Sequence, residues 1–516
     1  MAAAGTRHLG GTLGSRPSEV VAGAVEETAA AAPAPAPIDV PFGEAPVTTE
    51  PFNAPILDET LRLAPGDTAD LVFTGARVID AETGFDRIAN VAVKGSTIVE
   101  ISDQPILANR SVAVDNHVLS AGFIDMLGTH VNGYGEWWKV ADGVTSNINM
   151  HGIRTDATEF YSEWEAAGVP LNYGGATHTS QVRANAAGID IFSSADGSQL
   201  TSISSAVQEQ IVGGYLGIHS QPEYTPGVSV DELALMGEIA FDLGVPLCVH
   251  ARFSDNQTPG LQADAMTELI SVARNTGCHV HVEHLNSTGG TGRMAEALGE
   301  MQGAIDEGLR MTACMYPYDF WATYLGSARF IDWEAKYGIS YDSLQVAGTN
   351  ERLTAETFAQ AQDINALTAA FVIPPEDLDL AIQAPFMMIG SDAILERPHN
   401  NHPRSTGAFA RTIGVFARQR EIISLPTAIE MITLRPANLL AISSPQMERK
   451  GRLQIGADAD ITVFDPLTII DRSTIDNPAQ ESTGVKYVLV NGTEVRNPDG
   501  NVTTALPGRA IRSNLA

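Results

Sequence analysis

Apolar runs of strand length alternate with helical patterns through residues 119–436, and the runs end in polar residues. Strands that alternate with helices in this way are parallel and are connected by right-handed crossovers. Eight parallel strands predict an α/β fold of the (β/α)8 TIM-like barrel type, with its active site at the carboxyl ends of the strands. The predicted strands are VLSAGFIDML (118–127), VTSNINM (144–150), LNYGGATHTS (171–180), YLGIHS (215–220), PLCVHAR (246–252), HVHVEHL (279–285), MTACMYPY (311–318) and APFMMIGSD (384–392).

Two β-rich segments flank this barrel. Short β-rich runs fill residues 69–102. The same pattern recurs in 451–466 and 484–502, where Asn491-Gly492 predicts a hairpin turn. A small composite β-sandwich domain built from the N- and C-terminal segments, residues 54–118 and 437–516, is therefore expected.

Two further segments fall outside these domains. Residues 319–383 are too long for a simple connection between the seventh and eighth strands, which predicts a lid-like insertion within the barrel. Residues 1–53 are rich in Ala, Pro, Gly, Thr and Glu, a composition that predicts a disordered arm.

Charge and composition restrict the class of protein. The chain has 516 residues, is 44% hydrophobic and carries a formal charge of −31, which argues against nucleic acid or an anionic membrane as partner. No run of eighteen apolar residues and no signal-peptide pattern is present, so neither a membrane span nor secretion is expected. Cys248, Cys278 and Cys314 lie in or beside apolar runs, which predicts buried thiols and a cytoplasmic location.

Histidines recur at the ends of successive strands, and an aspartate ends the last one. A lone histidine after an apolar run is usually a core residue, but histidines along one rim indicate a metal or proton-transfer site. Neutral imidazoles suit Zn²⁺, which takes about four ligands and can leave one position for water. Within this group His250 and His284 are the strongest pair of ligands, and Asp392 is placed to move the proton of a water, with a loop or N-cap carboxylate as its alternative. The group consists of His130, His151, His178, His219, His250, His284 and Asp392.

Several motifs resemble one known family, the N-acyl-D-amino-acid deacylases (D-aminoacylases) of the amidohydrolase superfamily. The most specific motif is HPRSTGAFARTIGVFAR (402–418), and it is followed in the family's order by LPTAIEMITLRPANLLAI, KGRLQIGADADITVFDP and VLVNGTEV. Upstream, PEYTPG (222–227) resembles a family loop, and VHAR, EHLN, YPYD and GSDA occupy the ends of strands five to eight. The resemblance extends from about 69 to 510.

This resemblance implies a zinc-dependent enzyme that hydrolyses the amide of an N-acyl-D-amino acid. Carried over by position, His250 and His284 are expected to be zinc ligands and Asp392 the catalytic base. Arg404 in HPR is expected to hold the α-carboxylate of the substrate, a task suited to a bidentate guanidinium.

The expected substrate contacts follow from the same resemblance. Tyr224 and one of Tyr316 or Tyr318 are expected to touch the substrate, with ordinary packing at the barrel rim as the alternative for the latter two. Asn286 stands where the family has a lysine after His-Leu. The change removes a positive charge, which weakens anion binding and suggests an altered, bulkier or less charged substrate.

The chain departs from the family at the end of strand one. The usual His-x-His is replaced by Leu127-Gly128-Thr129, and His130 could substitute only if a bulge shifts the register. No lysine lies between Lys139 and Lys336, which excludes a carboxylated lysine on strand four as a metal bridge.

Strand two departs from the family as well. The family cysteine is absent there, and His151 before Gly152 occupies its place as the expected third ligand. His130, His178 and His219 are the alternatives. One zinc with three ligands and a water is a complete catalytic site, so one Zn²⁺ per chain is expected.

Three functions are compatible with these observations. The leading hypothesis is a mononuclear zinc amidohydrolase whose small-molecule substrate carries an amide and a carboxylate. The alternatives are a catalytically silent barrel that binds a ligand, and metal-dependent hydrolysis of another C–N bond such as a cyclic amide or a carbamate. The oligomeric state is open, and a homo-oligomer is compatible with the sequence.

Overall fold

The structure is a computed structural model, and it describes residues 41–128, 130–252, 265–395 and 401–516. The first 40 residues of the predicted disordered arm, and Thr129 of the altered strand-one motif, lie outside these ranges. Within them the strands are β1 Ala69–Asp80, β2 Phe85–Lys94, β3 Thr97–Ser102, β4 Ala108–Ala113, β5 Val118–Ala121, β6 Phe123–Asp125, β7 Val144–Ile153, β8 Asn172–His178, β9 Ile218–Ser220, β10 Leu247–Val249, β11 Val280–Val282, β12 Met311–Met315, β13 Trp321–Tyr324, β14 Leu344–Val346, β15 Leu367–Ala370, β16 Met387–Ile389, β17 Ile461–Phe464, β18 Val485–Val490, β19 Thr493–Asn497 and β20 Gly500–Asn501.

Helices connect most of these strands. A π-helix, Thr412–Gln419, directly continues the eleventh α-helix. The α-helices of the described ranges are α1 Gly135–Ala141, α2 Ala157–Ala167, α3 Thr179–Ala187, α4 Gly197–Val212, α5 Val230–Leu243, α6 Ala265–Thr276, α7 Met294–Asp306, α8 Trp333–Tyr337, α9 Ala355–Asp363, α10 Pro375–Ala381, α11 Arg404–Arg411, α12 Leu425–Ile432 and α13 Leu434–Leu440.

Eight parallel strands, β6 to β12 and β16, form the nearly closed barrel that the sequence predicts. Every residue of β10 and β11 is buried, because helices cover the outer face of a parallel barrel while side chains fill its interior. The backbone N–H of Asp392, after β16, donates to the carbonyl of Leu127, after β6, at 2.9 Å. This bond connects the last strand to the first.

The first predicted strand is two strands in the structure. Val118–Ala121 pairs with β1 and β17 in the flanking sheet, whereas Phe123–Asp125 pairs with β7 in the barrel. Gly122 separates them, and its N–H donates to Asp460 O at 2.8 Å. A Cβ at this position would lie 2.2 Å from Thr145 Cγ2, so only glycine fits the crossing.

The flanking sheet combines both ends of the chain, as predicted. Its order is β20-β19-β18-β17-β5-β1-β2-β3, with β4 beside β1, and most of its pairs are antiparallel. Asn491 (φ 48°) and Gly492 (φ 77°) form the predicted hairpin turn between β18 and β19. In this turn both residues have positive φ, which asparagine and glycine tolerate best.

The insertion after β12 has its own three-stranded antiparallel sheet, ordered β13-β15-β14, together with α8 and α9. It lies on the side of the barrel where the strands end, because β13 begins six residues after Met315, the last residue of β12. All three cysteines are buried and unbridged. No helix in the described part of the chain is both long and apolar enough to cross a membrane.

Candidate metal and catalytic site

A cavity of about 310 Å³ opens at the carboxyl ends of the barrel strands. Parallel strands direct the residues that follow them toward this end of the barrel. Most of the residues singled out in the sequence therefore meet in one place. Those that line the cavity are His130, His151, His178, Tyr224, His250, His284, Asp392 and Arg404.

His250 and His284 face each other in this cavity. The Nδ1 atom of His250 lies 3.0 Å from Nε2 of His284, and the Nε2–H of His250 donates to the Glu223 carboxylate at 2.7 Å. Burial lowers the pKa of His250 to about 4 and that of His284 well below its ordinary value. Both rings are therefore neutral, and Glu223 fixes the tautomer in which Nδ1 of His250 carries a lone pair and not a proton.

A buried carboxylate that sequence reasoning missed, Glu283, completes this group. His151 donates through Nδ1 to Glu283 Oε2 at 2.5 Å, and His219 donates to Oε1 at 2.8 Å. Burial would raise the pKa of Glu283, but the two imidazoles outweigh it and lower that pKa, so the carboxylate is ionised. Burial would lower the pKa of His151, yet Glu283 raises it. The available signal was the one acidic residue in the apolar run HVHVEHL.

The donor set fits a metal ion. One ligand atom from each of His151, His250, Glu283 and His284 lies within 4.8 Å of the others. The Nδ1 atom of His284 is buried and has no hydrogen-bond partner among the described residues. Three imidazole nitrogens and a carboxylate oxygen in a buried pocket are a typical donor set for Zn²⁺.

Asp392 and Arg404 form an ion pair beside these histidines. Arg404 Nη2 lies 2.7 Å from Asp392 Oδ2, and its Nε donates to the Asp392 carbonyl at 2.8 Å. The guanidinium also stacks 4.4 Å above the ring of Tyr316. Its Nη1 is buried without a partner among the described residues. Asp392 (φ 46°) and His284 (φ 26°) both have positive φ, and strain of this kind clusters at functional sites.

The remaining singled-out residues differ in their access to the cavity. The Tyr224 ring lies 4.7 Å from that of His250, and the Tyr316 ring lies 6.1 Å from that of His284. Tyr318 instead donates its hydroxyl to Asp471 at 3.0 Å. It does not line the cavity.

Asn286 and His219 are also set back from the cavity surface. The Asn286 amide donates to the Tyr316 carbonyl at 3.0 Å and so fastens the end of strand six to the end of strand seven. His219 lies behind His151 and makes its hydrogen bond to Glu283. Tyr318 and Asn286 thus make hydrogen bonds within the protein. The sequence predicts a substrate contact for Asn286 and for one of Tyr316 or Tyr318, and these contacts stay predictions.

Comparison with known proteins identifies the family. The amidohydrolase family model matches residues 134–496, more than half of the chain. The chain belongs to the amidohydrolase family. The predicted hydrolase class, which acts on C–N bonds other than peptide bonds, agrees with this membership.

Two curated relatives of this amidohydrolase come from Alcaligenes xylosoxydans xylosoxydans. Its N-acyl-D-glutamate deacylase is 26% identical over 490 residues, covering 87% of this chain and 97% of the relative. Its D-aminoacylase is 25% identical over 469 residues, covering 83% and 94%. The predicted resemblance to D-amino-acid deacylases is confirmed.

A solved structure confirms the fold. The N-acyl-D-glutamate deacylase from Bordetella bronchiseptica, solved with zinc and a phosphonate inhibitor that mimics the tetrahedral intermediate, superposes with a TM-score of 0.74 at 22% identity. The match covers 87% of this amidohydrolase and 100% of that chain. A TIM-like barrel with a flanking β domain is thus shared.

Proposed function

We propose that this amidohydrolase is a mononuclear zinc enzyme that cleaves the amide bond of N-acyl-D-amino acids. The observation that carries the proposal is that His151, His250 and His284 line one cavity with the Asp392–Arg404 pair, and that the buried Glu283 carboxylate lies within 4.8 Å of the three imidazoles. The relatives' named activities on N-acyl-D-amino acids supply the substrate class.

His151, His250 and His284 would hold the zinc ion, with Glu283 as the carboxylate of the donor set. The ion, when bound, supplies Lewis acidity that polarises an amide carbonyl and makes water at the site easier to deprotonate. Glu283 and Glu223 each accept the other ring N–H of a ligating histidine, His151 and His250 respectively. Such carboxylates fix the orientation and tautomer of each ring, so that its other nitrogen would be available to hold the ion.

Asp392 would accept the proton of the attacking water and pass it to the leaving nitrogen. Its Oδ2 is engaged by Arg404 at 2.7 Å, so Oδ1 is the oxygen left for this proton. The ion pair and the bond from Arg404 Nε hold the carboxylate in one orientation. A preoriented base needs little rearrangement when the substrate arrives.

Arg404 would also bind the substrate carboxylate. Its Nη1 is a buried donor without a partner among the described residues, and leaving such a donor unmatched is costly. A carboxylate in the cavity would satisfy it. Tyr224 would border the substrate on the side of His250.

The three buried, unbridged cysteines support our further proposal of a cytoplasmic location.

The test combines metal analysis with a substrate panel. Purified protein is expected to contain close to one zinc per chain, to hydrolyse N-acetyl-D-amino acids in preference to their L-enantiomers, and to lose this activity reversibly on chelation. Asp392→Asn is expected to retain zinc but to lose at least about 100-fold in kcat, because the base is gone.

Asp363→Asn, a change at an exposed residue of α9, is the matched control and should behave as the wild type. Hydrolysis that persists in fully metal-free protein would contradict the proposal. So would binding of N-acyl-D-amino acids without turnover, which indicates a silent barrel, or a preference for cyclic amides.

A further inference from the structure

Arg154 is an exposed arginine that lines the catalytic cavity and has no acidic partner. It follows directly after β7, three residues beyond His151. Within residues 41–128, 130–252, 265–395 and 401–516 it makes no ion pair and no hydrogen bond. The other charged groups among the described lining residues, Asp392 and Arg404, neutralise each other. The cavity is therefore left with one uncompensated guanidinium.

The chain as a whole has an excess of acidic residues. Acidic residues outnumber basic ones by 62 to 31, so an arginine is surrounded on average by an excess of carboxylates. An arginine placed for solubility alone has no reason to lie on the wall of a catalytic cavity. A guanidinium there presents a fork of donors that matches a carboxylate.

His178 supplies a second donor on the same wall. Its Nδ1 accepts the Gln181 N–H at the start of α3, at 3.4 Å, which leaves the proton on Nε2. The Nε2–H is therefore available as a donor near Arg154, and the ring lines the same cavity.

Arg154 and Arg404 occupy different walls of the cavity. Arg404 is held against Asp392 after β16 and donates to Ala322 O of the insertion at 3.2 Å. Arg154 and His178 follow β7 and β8. Both groups line the same cavity as the candidate metal ligands His151, His250 and His284. A substrate bound in this cavity can therefore contact both.

We propose that Arg154 and His178 form a second anion subsite, which selects N-acyl amino acids that carry a second carboxylate. The proposal rests on the proposed function, because it assumes that the amide lies at the metal ligands and the α-carboxylate at Arg404. The second carboxylate could belong to the amino-acid side chain or to a dicarboxylic acyl group, and both present the same chemistry to a guanidinium.

Paired substrates that differ only in this charge test the proposal. N-acetyl-D-glutamate is compared with N-acetyl-D-glutamine, and N-succinyl-D-leucine with N-butanoyl-D-leucine, so that one pair probes the side chain and the other the acyl group. In the wild type kcat/KM is expected to favour the dicarboxylate of at least one pair by roughly 10- to 100-fold, as for a charged hydrogen bond. In Arg154→Gln that ratio is expected to fall to near one, while hydrolysis of the neutral member is retained.

The control is Arg509→Gln. Arg509 is also exposed, but its carbonyl accepts the N–H of Tyr173 near the start of β8, at the opposite end of the barrel from the cavity. This variant should keep the wild-type ratio. If no pair is hydrolysed, the proposed function fails, and the same ratios are then read from dissociation constants. Any of three results would overturn the subsite. These are a ratio near one in the wild type, a ratio that Arg154→Gln leaves unchanged, and no binding of any of the four compounds.

Discussion

Leu127 stands at the first position of the altered strand-one motif, and its side chain is fully buried. At the end of the same strand, Asp125 pairs with the buried ammonium of Lys139, which lies 3.2 Å from Ser391 Oγ. The candidate metal ligands instead lie on or just after strands two, five and six, where a carboxylate from the protein itself, Glu283, contacts His151 and His219.

Glu283→Gln is expected to weaken zinc binding by roughly 10- to 100-fold, because a neutral amide replaces the carboxylate that orients His151 and His219. Zinc affinity is measured by competition with a chromophoric chelator. The control is Glu268→Gln, another buried glutamate, which pairs with Arg252 and does not line the cavity. Equal zinc affinity in the two variants would show that Glu283 has no part in the metal site.

At the scale of elements, residues of the insertion contact Glu223, which in turn contacts the candidate metal ligand His250. Lys336 Nζ and the Tyr337 hydroxyl lie 2.8 and 2.9 Å from Glu223 Oε1, and Arg329 Nε lies 3.4 Å from Oε2. Burial would raise the pKa of Glu223, but the positive charges of Arg329 and Lys336 outweigh it and hold that pKa well below its ordinary value. The insertion thereby keeps an ionised acceptor against His250.

Glu223→Gln is therefore expected to have two effects. Zinc affinity should fall, because His250 loses its charged acceptor. The free energy of unfolding should fall by about 3–5 kcal/mol, because the buried guanidinium of Arg329 and the half-buried ammonium of Lys336 lose their partner. Glu232→Gln, which breaks the buried pair with Arg183, should lower stability without changing zinc affinity. Chelator competition measures the zinc affinity, and denaturant unfolding measures the stability. Unchanged zinc affinity in Glu223→Gln would contradict the proposed effect of Glu223 on His250.

The helix that begins at Arg404 is fastened by a second buried carboxylate. Asp142, after α1, accepts the N–H groups of Phe409 and Ala410 at 2.9 and 3.1 Å and the Ser482 hydroxyl at 2.6 Å. Burial raises the pKa of Asp142 to about 7, although these donors oppose it.

The raised pKa of Asp142 predicts how stability changes with pH. The folded state binds a proton more tightly than the unfolded state, so the contribution of Asp142 is complete below about pH 4 and is lost as pH rises toward 7. The slope is at most about 1.4 kcal/mol per pH unit. In Asp142→Asn, which is less stable at low pH, the deficit relative to the wild type should shrink toward pH 7 in denaturant unfolding. A deficit that grows with pH would contradict this assignment.

At the scale of the whole molecule, both ends of the chain meet in one sheet that is bound to the barrel. Asp460, before β17, accepts from Asn172 at the start of β8 at 2.9 Å and from Lys450 at 2.7 Å. Burial would lower the pKa of Lys450, but Asp460 and Asp458 outweigh it and raise that pKa. This charged cluster is one of the contacts between the sheet and the barrel.

The net charge of −31 predicts the response of the molecule to salt. Self-repulsion destabilises the compact state, and added salt screens it over about 10 Å at 0.1 M. The apparent midpoint of thermal unfolding is expected to rise by about 1–4 °C between 10 mM and 0.5 M KCl. A midpoint that falls would show that ion pairs such as Arg77–Asp86 dominate over net repulsion.

The sequence by itself determined the barrel, the flanking sheet and the residues at the strand ends. Periodicity shows which residues are apolar and where each run ends, and parallel strands bring those ends together. His151, His250, His284, Asp392 and Arg404 were found in this way or through the family motifs, and the structure brings them to one cavity.

Only the tertiary structure decided which partners these residues have. Glu283 meets His151 across 132 positions of sequence, and Glu223 meets His250 across 27. Likewise, Tyr318 donates a hydrogen bond to Asp471, and Arg404 forms an ion pair with Asp392. The positions of the strand ends predict which side chains reach the rim of the barrel. Which of these side chains form hydrogen bonds depends on the distances between segments that are remote in sequence, and a local sequence pattern does not predict those distances.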